Sequence, residues 1–177
     1  MRFRKAEQGE LDSVLAVIAD GRAAIAKLGI DQWSGGNPKR ELIELDLRLR
    51  RSHVAIDEES GRIMATAVID FSGEPDYDAI EGAWLTSSSS SAPQYAVVHR
   101  FAVVHAFSRQ GIAKAMLNYA EGLAREQGCV SVRVDTHPGN VRMLGLLERC
   151  GYHRCGIVYM SHIEGATPER VAFEKMV

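Results

Sequence analysis

The sequence predicts a mixed α/β fold on three observations. Val130, Val132 and Val134 alternate with Ser131, Arg133 and Asp135, the two-residue period of a half-buried strand. Leu11, Val14, Leu15 and Ile18 recur at helical spacing, as do Ile112, Met116, Ala120 and Leu123. Between these helices an apolar run from Tyr95 breaks at Ser108-Arg109-Gln110-Gly111 and then restarts as a helix.

In chain order, Arg2 to Ala6 reads as a short strand. The first helix starts near Glu10, is extended by Ala23, Ala24 and Ile25, and closes at Gly29. Asp31-Gln32-Trp33 and Ser34 to Asn37 form a loop, and Pro38 is placed to begin a second helix with Leu42, Leu45 and Leu49 as its apolar stripe. His53 to Ile56 and Arg62 to Phe71 form a hairpin across Glu58-Glu59-Ser60-Gly61. Gly73 to Trp84 reads as irregular. Ser87 to Ser91 reads as a flexible polar insertion without chemistry. Gly128 stops the helix that begins at Gly111. Asn140 caps a helix through Arg149, with Gly151 in the left-handed C-terminal position, and Tyr152 to Met160 and Arg170 to Met176 are the final strands.

At 177 residues the chain suits one domain, residues 1–177, with a sizeable core. A formal net charge of −2 gives no support to nucleic-acid or membrane-surface binding. Three cysteines without metal spacing fit small, partly interior residues in a reducing compartment, and no metal is expected. The N-terminus lacks an apolar signal core and no run reaches membrane-spanning length, so a cytoplasmic location is expected.

The 95–114 segment carries the chemistry. A strand that turns through small residues into a helix leaves backbone N–H groups unpaired and pointing one way. With the helix dipole they form a receptor for phosphate. Gly111 permits the tight turn and keeps a Cβ away from the anion.

Three blocks in order carry a resemblance: Phe101-Ala102-Val103 with Arg109-Gln110-Gly111-Ile112-Ala113-Lys114, then Asp135 to Asn140, then Leu146 to Tyr152. On these the chain resembles the GNAT acyltransferase superfamily over nearly its whole length. The Asp31-Gln32-Trp33 loop and the ending Arg170 to Lys175 look like a bacterial subgroup of unassigned acceptor. The resemblance implies a mostly antiparallel sheet, splayed between its fourth and fifth strands, with about four helices. It also implies N-acetyl transfer from acetyl-CoA, as co-substrate, to an amine acceptor by direct attack. Small members frequently pair, so a homodimer is implied as well. Phe101, Ala102 and Val103 would bind the pantetheine amides, Arg109 to Lys114 the diphosphate, and Asn140 would cap its helix, touch the coenzyme, or both.

Two positions depart from the family pattern. Ser108 stands where Gln or Arg is usual, and Arg109 or the backbone would take over its role. Leu147 stands where a Tyr often serves as general acid, so water or Tyr159 would return the proton. His99 is the leading base, similar to the second histidine of arylalkylamine N-acetyltransferases, whose first falls at Val97. Simple alternation places 97, 99, 101 and 103 on one face. A backbone N–H near Val103 would stabilise the developing oxyanion. Glu81 is the runner-up base, and Asp135 and His137 are candidates to orient water or acceptor. Trp33, Trp84, Phe71 and Tyr77 would border an acceptor opening suited to an apolar or aromatic amine. The alternative is a CoA-binding regulatory or interaction module with weak or no catalysis. A dinucleotide-dependent oxidoreductase fits poorly, because Gly-x-Gly-x-x-Gly is absent.

Overall fold

Alternation along the strands sorts the apolar side chains onto two faces of one sheet. The computed structural model describes residues 1–161 and 166–177. Its elements are β1 (Arg2–Lys5), α1 (Leu11–Ala26), α2 (Arg40–Arg48), β2 (Ser52–Ile56), β3 (Ile63–Asp70), β4 (Glu81–Gly82) and β5 (Tyr95–Val103). They continue with α3 (Ile112–Glu126), β6 (Ser131–Thr136), α4 (Val141–Arg149), β7 (His153–Tyr159) and β8 (Glu169–Met176). The eight strands run in the order β1-β2-β3-β5-β6-β8-β7-β4. Only β5 and β6 are parallel; the other neighbours are antiparallel.

Ala65, Ala67, Ile69, Ala96, Val98, Val132, Val134, Val171 and Phe173 face one way, against Ile112, Met116, Leu117 and Ala120 of α3 and Leu147 of α4. Val54, Ile56 and Ala102 face the other way, under Val14, Val17 and Ile18 of α1 and Ile43 and Leu47 of α2. Further along this second face, Tyr95, Val97, Val158 and Ala172 pack beneath Tyr77 and Trp84. Gly21 is required by close packing, because a Cβ there would lie 2.7 Å from Trp33 and 2.8 Å from Ala102. Trp33 is thereby seated on α1 and β5.

The structure corrects several details of the sequence reading. Pro38 lies two residues before α2, whose N-cap is Lys39. The buried stripe of α2 is Ile43, Asp46 and Leu47, while Leu49 is exposed. Asp46 occupies an inward position because two arginines meet it there. A 3-10 turn (Pro75–Ala79) and the two-residue β4 lie within the stretch read as irregular, so the splayed pair becomes β5 and β6.

The serine run is held in place. Ser90 donates to Asp78 through both its N–H (2.8 Å) and its hydroxyl. The fully buried Arg133 donates to the carbonyls of Ser88 and Thr86, each at 3.1 Å. Its guanidinium is sandwiched between Trp84 (4.3 Å) and Tyr95 (3.9 Å) and pairs with buried Glu174 at 3.0 Å. A buried charge needs this degree of satisfaction to be tolerated.

Candidate active site

β5 and β6 begin together and then part. Their parallel pairing covers Tyr95–Val98 against Ser131–Val134 and stops there, although β5 continues to Val103 and β6 to Thr136. The parting follows from a β-bulge. Against β3, Val68 faces His99 and Thr66 faces Ala102, so β5 carries one extra residue. Arg100 is at the bulge with φ of 49°, and its guanidinium is anchored on α2 through bonds to Asp46 of 2.6 and 3.0 Å. Arg51 bonds the same carboxylate at 2.8 Å. Asp46 therefore ties the bulge to the helix beneath it.

The bulge overturns the simple alternation. Phe101 and Val103 join Ala96 and Val98 on the α3 face, whereas Ala102 joins the α1 side. His99 and Val103 point to opposite faces, because the extra residue reverses the parity of everything after it.

The parted strands bound a cleft of about 290 Å³. His99, Arg100 and Phe101 line one wall, and Val134, Asp135 and Thr136 the other. The loop after α1 closes one end. Trp33 lines it, Gln32 accepts from Asn140 Nδ2 at 3.2 Å, and Asp31 accepts from the Thr167 N–H at 2.7 Å and hydroxyl at 2.9 Å. The Thr167 bonds hold the Asp31 carboxyl below its ordinary range. Asn140 also caps α4 by accepting from Met143 N at 3.2 Å, so it serves as cap and cleft wall together.

Beyond Val103 the chain turns into α3. Gly111 is the N-cap rather than the first helical residue, with φ of 79°, and Arg109 precedes it at φ of 63°. Among the described residues no side chain caps α3, and its first backbone bond runs from Ala115 N to Gly111 O at 3.0 Å. The N–H groups of Ile112, Ala113 and Lys114 are thus left for an external acceptor. A Cβ on Gly111 would meet no atom of the described residues within 4 Å, so the left-handed backbone is what demands glycine and the space above the turn is open. Gln110 is exposed and its side chain turns back to the Ala106 carbonyl at 3.3 Å. The Ser108 hydroxyl donates to the His105 carbonyl at 2.7 Å.

His99 sits between two carboxylates, its Nε2 3.2 Å from Glu74 and its Nδ1 3.6 Å from Asp135 Oδ1. Burial, the largest single influence, would raise the Glu74 carboxyl, but the His99 contact and the Asp76 N–H together leave Glu74 below its ordinary value. Asp135 Oδ1 accepts the Tyr77 hydroxyl at 2.7 Å. Full burial, reinforced by that carboxylate, pushes the Tyr77 phenol well above its usual range, so it remains a donor. At 3.6 Å Asp135 is beyond hydrogen-bond distance from the ring. Glu74 is thus the nearer of the two carboxylates to the ring.

The other candidates are spread out. Glu81 and Tyr159 meet each other at 3.4 Å on the exposed β4–β7 edge and do not line the cleft. Phe71 packs on the α3-side core, and Trp84 donates to the Tyr77 carbonyl at 2.8 Å. Of the four aromatics only Trp33 lines the cleft. His137 Nε2 lies 3.3 Å from Asp31, while its Nδ1 accepts from Gly139 N at 2.9 Å, the turn role open to it from sequence. Leu147 is fully buried in the core and supplies no acid. Sequence reasoning missed Glu74, Arg100 and Asp46 because their roles depend on a bulge and on long-range pairing. Among the described residues no cluster of His, Cys, Asp and Glu could hold a metal.

A sheet parted between two parallel strands, with an uncapped helix start beyond one of them, is the frame of an acyltransferase. The chain belongs to the acetyltransferase (GNAT) family, whose model matches residues 22–152. It is similar to the GNAT-family acetyltransferase from Streptococcus agalactiae, at 32% identity and a TM-score of 0.85 over 99% of this chain and 95% of that one. A GNAT acetyltransferase from Listeria monocytogenes shares 19% identity with a TM-score of 0.73, covering 99% of this chain and 94% of the other. The ribosomal-protein-alanine N-acetyltransferase of Brucella melitensis shares 17% identity with a TM-score of 0.69 over 100% of both chains. These last two likenesses concern the fold alone. No curated protein matches the chain.

Proposed function

We propose that this acetyltransferase moves the acetyl group of acetyl-CoA to a primary amine by direct attack. The observation that carries this reading is the continuity of the parted β5 edge with the open turn at Gly111 and the unpaired N–H groups of Ile112, Ala113 and Lys114. Phe101, Ala102 and Val103 would pair with the pantetheine amides as an added strand does. Arg109 and Gln110 flank the turn that would take the diphosphate, and Asn140 borders the same cleft. Charge-assisted bonds of ~1.5–3 kcal/mol each make several convergent N–H groups outweigh the helix dipole, which is worth ~0.3–1 kcal/mol.

Acetyl-CoA supplies an activated thioester. The neutral amine forms the C–N bond, the C–S bond breaks, the amine proton passes to the protein, and the coenzyme leaves as its thiol. In this reading His99 is the base. Glu74 would hold the ring from its Nε2 side, Nδ1 would take the proton directly or through one water, and Asp135 would stabilise the resulting cation. Glu81 and Tyr159, away from the cleft, are given no part. With Leu147 buried, water returns the proton to the thiolate. A thiol of pKa near 8.5 leaves tolerably as its anion, so the absent tyrosine slows the reaction without stopping it. Free thiols at Cys129, Cys150 and Cys155 suit a reducing, cytoplasmic setting.

The buried Leu147 favours one other reading, a coenzyme-binding module without turnover. Thiol release from acetyl-CoA across an amine panel, paired with a thermal-shift titration of CoA, separates the two. Turnover with a CoA-dependent rise in Tm is expected. A Tm rise with no turnover on any amine selects the module, and no affinity for CoA rejects both.

A further inference from the structure

Arg170, on β8, is 1% exposed and lines the cleft. Ala172 pairs with Asp135 on β6, and Arg170, two residues away, lies on the same sheet face as Ala172. The guanidinium is fixed by bonds from Nη1 to the Thr167 and Glu169 carbonyls, at 2.5 and 2.7 Å. Its Nε is 3.8 Å from Asp135 Oδ2, a loose pairing rather than a bidentate one. Among the described residues Nη2 has no hydrogen-bond partner. Native proteins seldom leave a buried cationic donor unsatisfied unless something else binds it.

The neighbouring charges leave Nη2 unpaired. Asp135 gives its other oxygen to Tyr77 and faces His99 with it. The other cations lining the cleft are engaged, Arg100 with Asp46 and Lys39 with the Gly35 carbonyl at 2.6 Å. Asp31 and Asp135 both lie near enough to act on the Arg170 charge, yet neither bonds Nη2. One carboxylate, Asp135, thus stands between the base and a buried guanidinium edge that no atom of the described residues satisfies.

We infer that the acceptor is a small amino acid whose carboxylate is received by Arg170 Nη2 while its amine is presented to His99 Nδ1. This inference rests on the acyl-transfer reading and narrows it to one substrate class. Planar N–H donors of arginine match a carboxylate better than any other side chain does. A cleft of about 290 Å³ accepts an amino acid beside an acetyl thioester, and Trp33 and Met160 supply apolar walls for its side chain.

The test is thiol release by the full chain with acetyl-CoA and matched pairs, each free L-amino acid against its carboxamide. The acids are expected to exceed the amides in kcat/KM by tenfold or more. Arg170→Gln should raise KM for the acid at least tenfold while leaving that for the amide within twofold, and Arg170→Lys should recover part of the loss. Should Arg170→Gln fail to fold, competition in the native protein decides: simple carboxylic acids should inhibit competitively against the amine, and their amides should not. Equal turnover of acids and amides, or a preference that survives Arg170→Gln, overturns this inference and leaves acetyl transfer standing. Absence of turnover with every amine overturns both.

Discussion

His99 is held on both sides, and the chemistry of a base depends on which nitrogen is left free. Glu74 lies 3.2 Å from Nε2, and Asp135 stays just outside bonding distance of Nδ1. His99→Ala should lower kcat by ~10²–10⁴-fold and flatten the acid limb of the pH–rate profile, measured by thiol release. An intact limb removes His99 as the base. Gly111 is constrained differently, by a φ of 79° with open space above it. Gly111→Val places a β-branched residue in the left-handed region and a side chain where the diphosphate would lie. Loss of one charge-assisted bond predicts a rise in KM for acetyl-CoA of about 10- to 100-fold. An unchanged KM rejects the phosphate turn.

At the scale of elements, the decisive contact joins α2 to the bulge in β5. Asp46 is fully buried and receives Arg100 and Arg51 together. Removing it leaves two guanidinium groups without their shared anion. Asp46→Ala should cost about 3–5 kcal/mol in urea unfolding, the range for breaking a buried ion pair from one side. Activity should fall with it, because Arg100 would no longer hold the strand open. A stable Asp46→Ala protein with native turnover would show that the bulge forms without its anchor. The same element explains why the predicted α2 stripe was misplaced. Leu42, Leu45 and Leu49 are as regular as Ile43 and Leu47, and only the partner arginines reveal that the Asp46 side is the one turned inward.

Across the whole molecule, acid sensitivity traces to a group remote from the cleft. His53 is buried beside Tyr119, whose hydroxyl is 3.2 Å from Nδ1. Burial, with a smaller contribution from Lys5, pushes His53 from 6.5 down to about 4. The unfolded chain therefore binds a proton that the folded one refuses. Its contribution to stability is complete above pH 6.5 and is lost as pH falls from there toward 4. Urea midpoints should report a loss of about 2 kcal/mol between about pH 7.5 and pH 5, reduced in His53→Gln. An equal loss in His53→Gln would assign the acid limb of stability to other groups.

The periodicities of the chain determined its strands and helices, and the small-residue break at Ser108 to Gly111 determined the helix start open to an anion. These are local properties, set by side-chain spacing and by which residues accept a left-handed backbone. The side of β5 on which Phe101 and Val103 point was decided by tertiary structure, through one extra residue stabilised by an aspartate 54 positions away. So was the meeting of Glu74, His99, Asp135 and Arg170, contributed by a loop and three strands. Burial and pairing create their chemistry, and neither exists until the sheet has assembled around them.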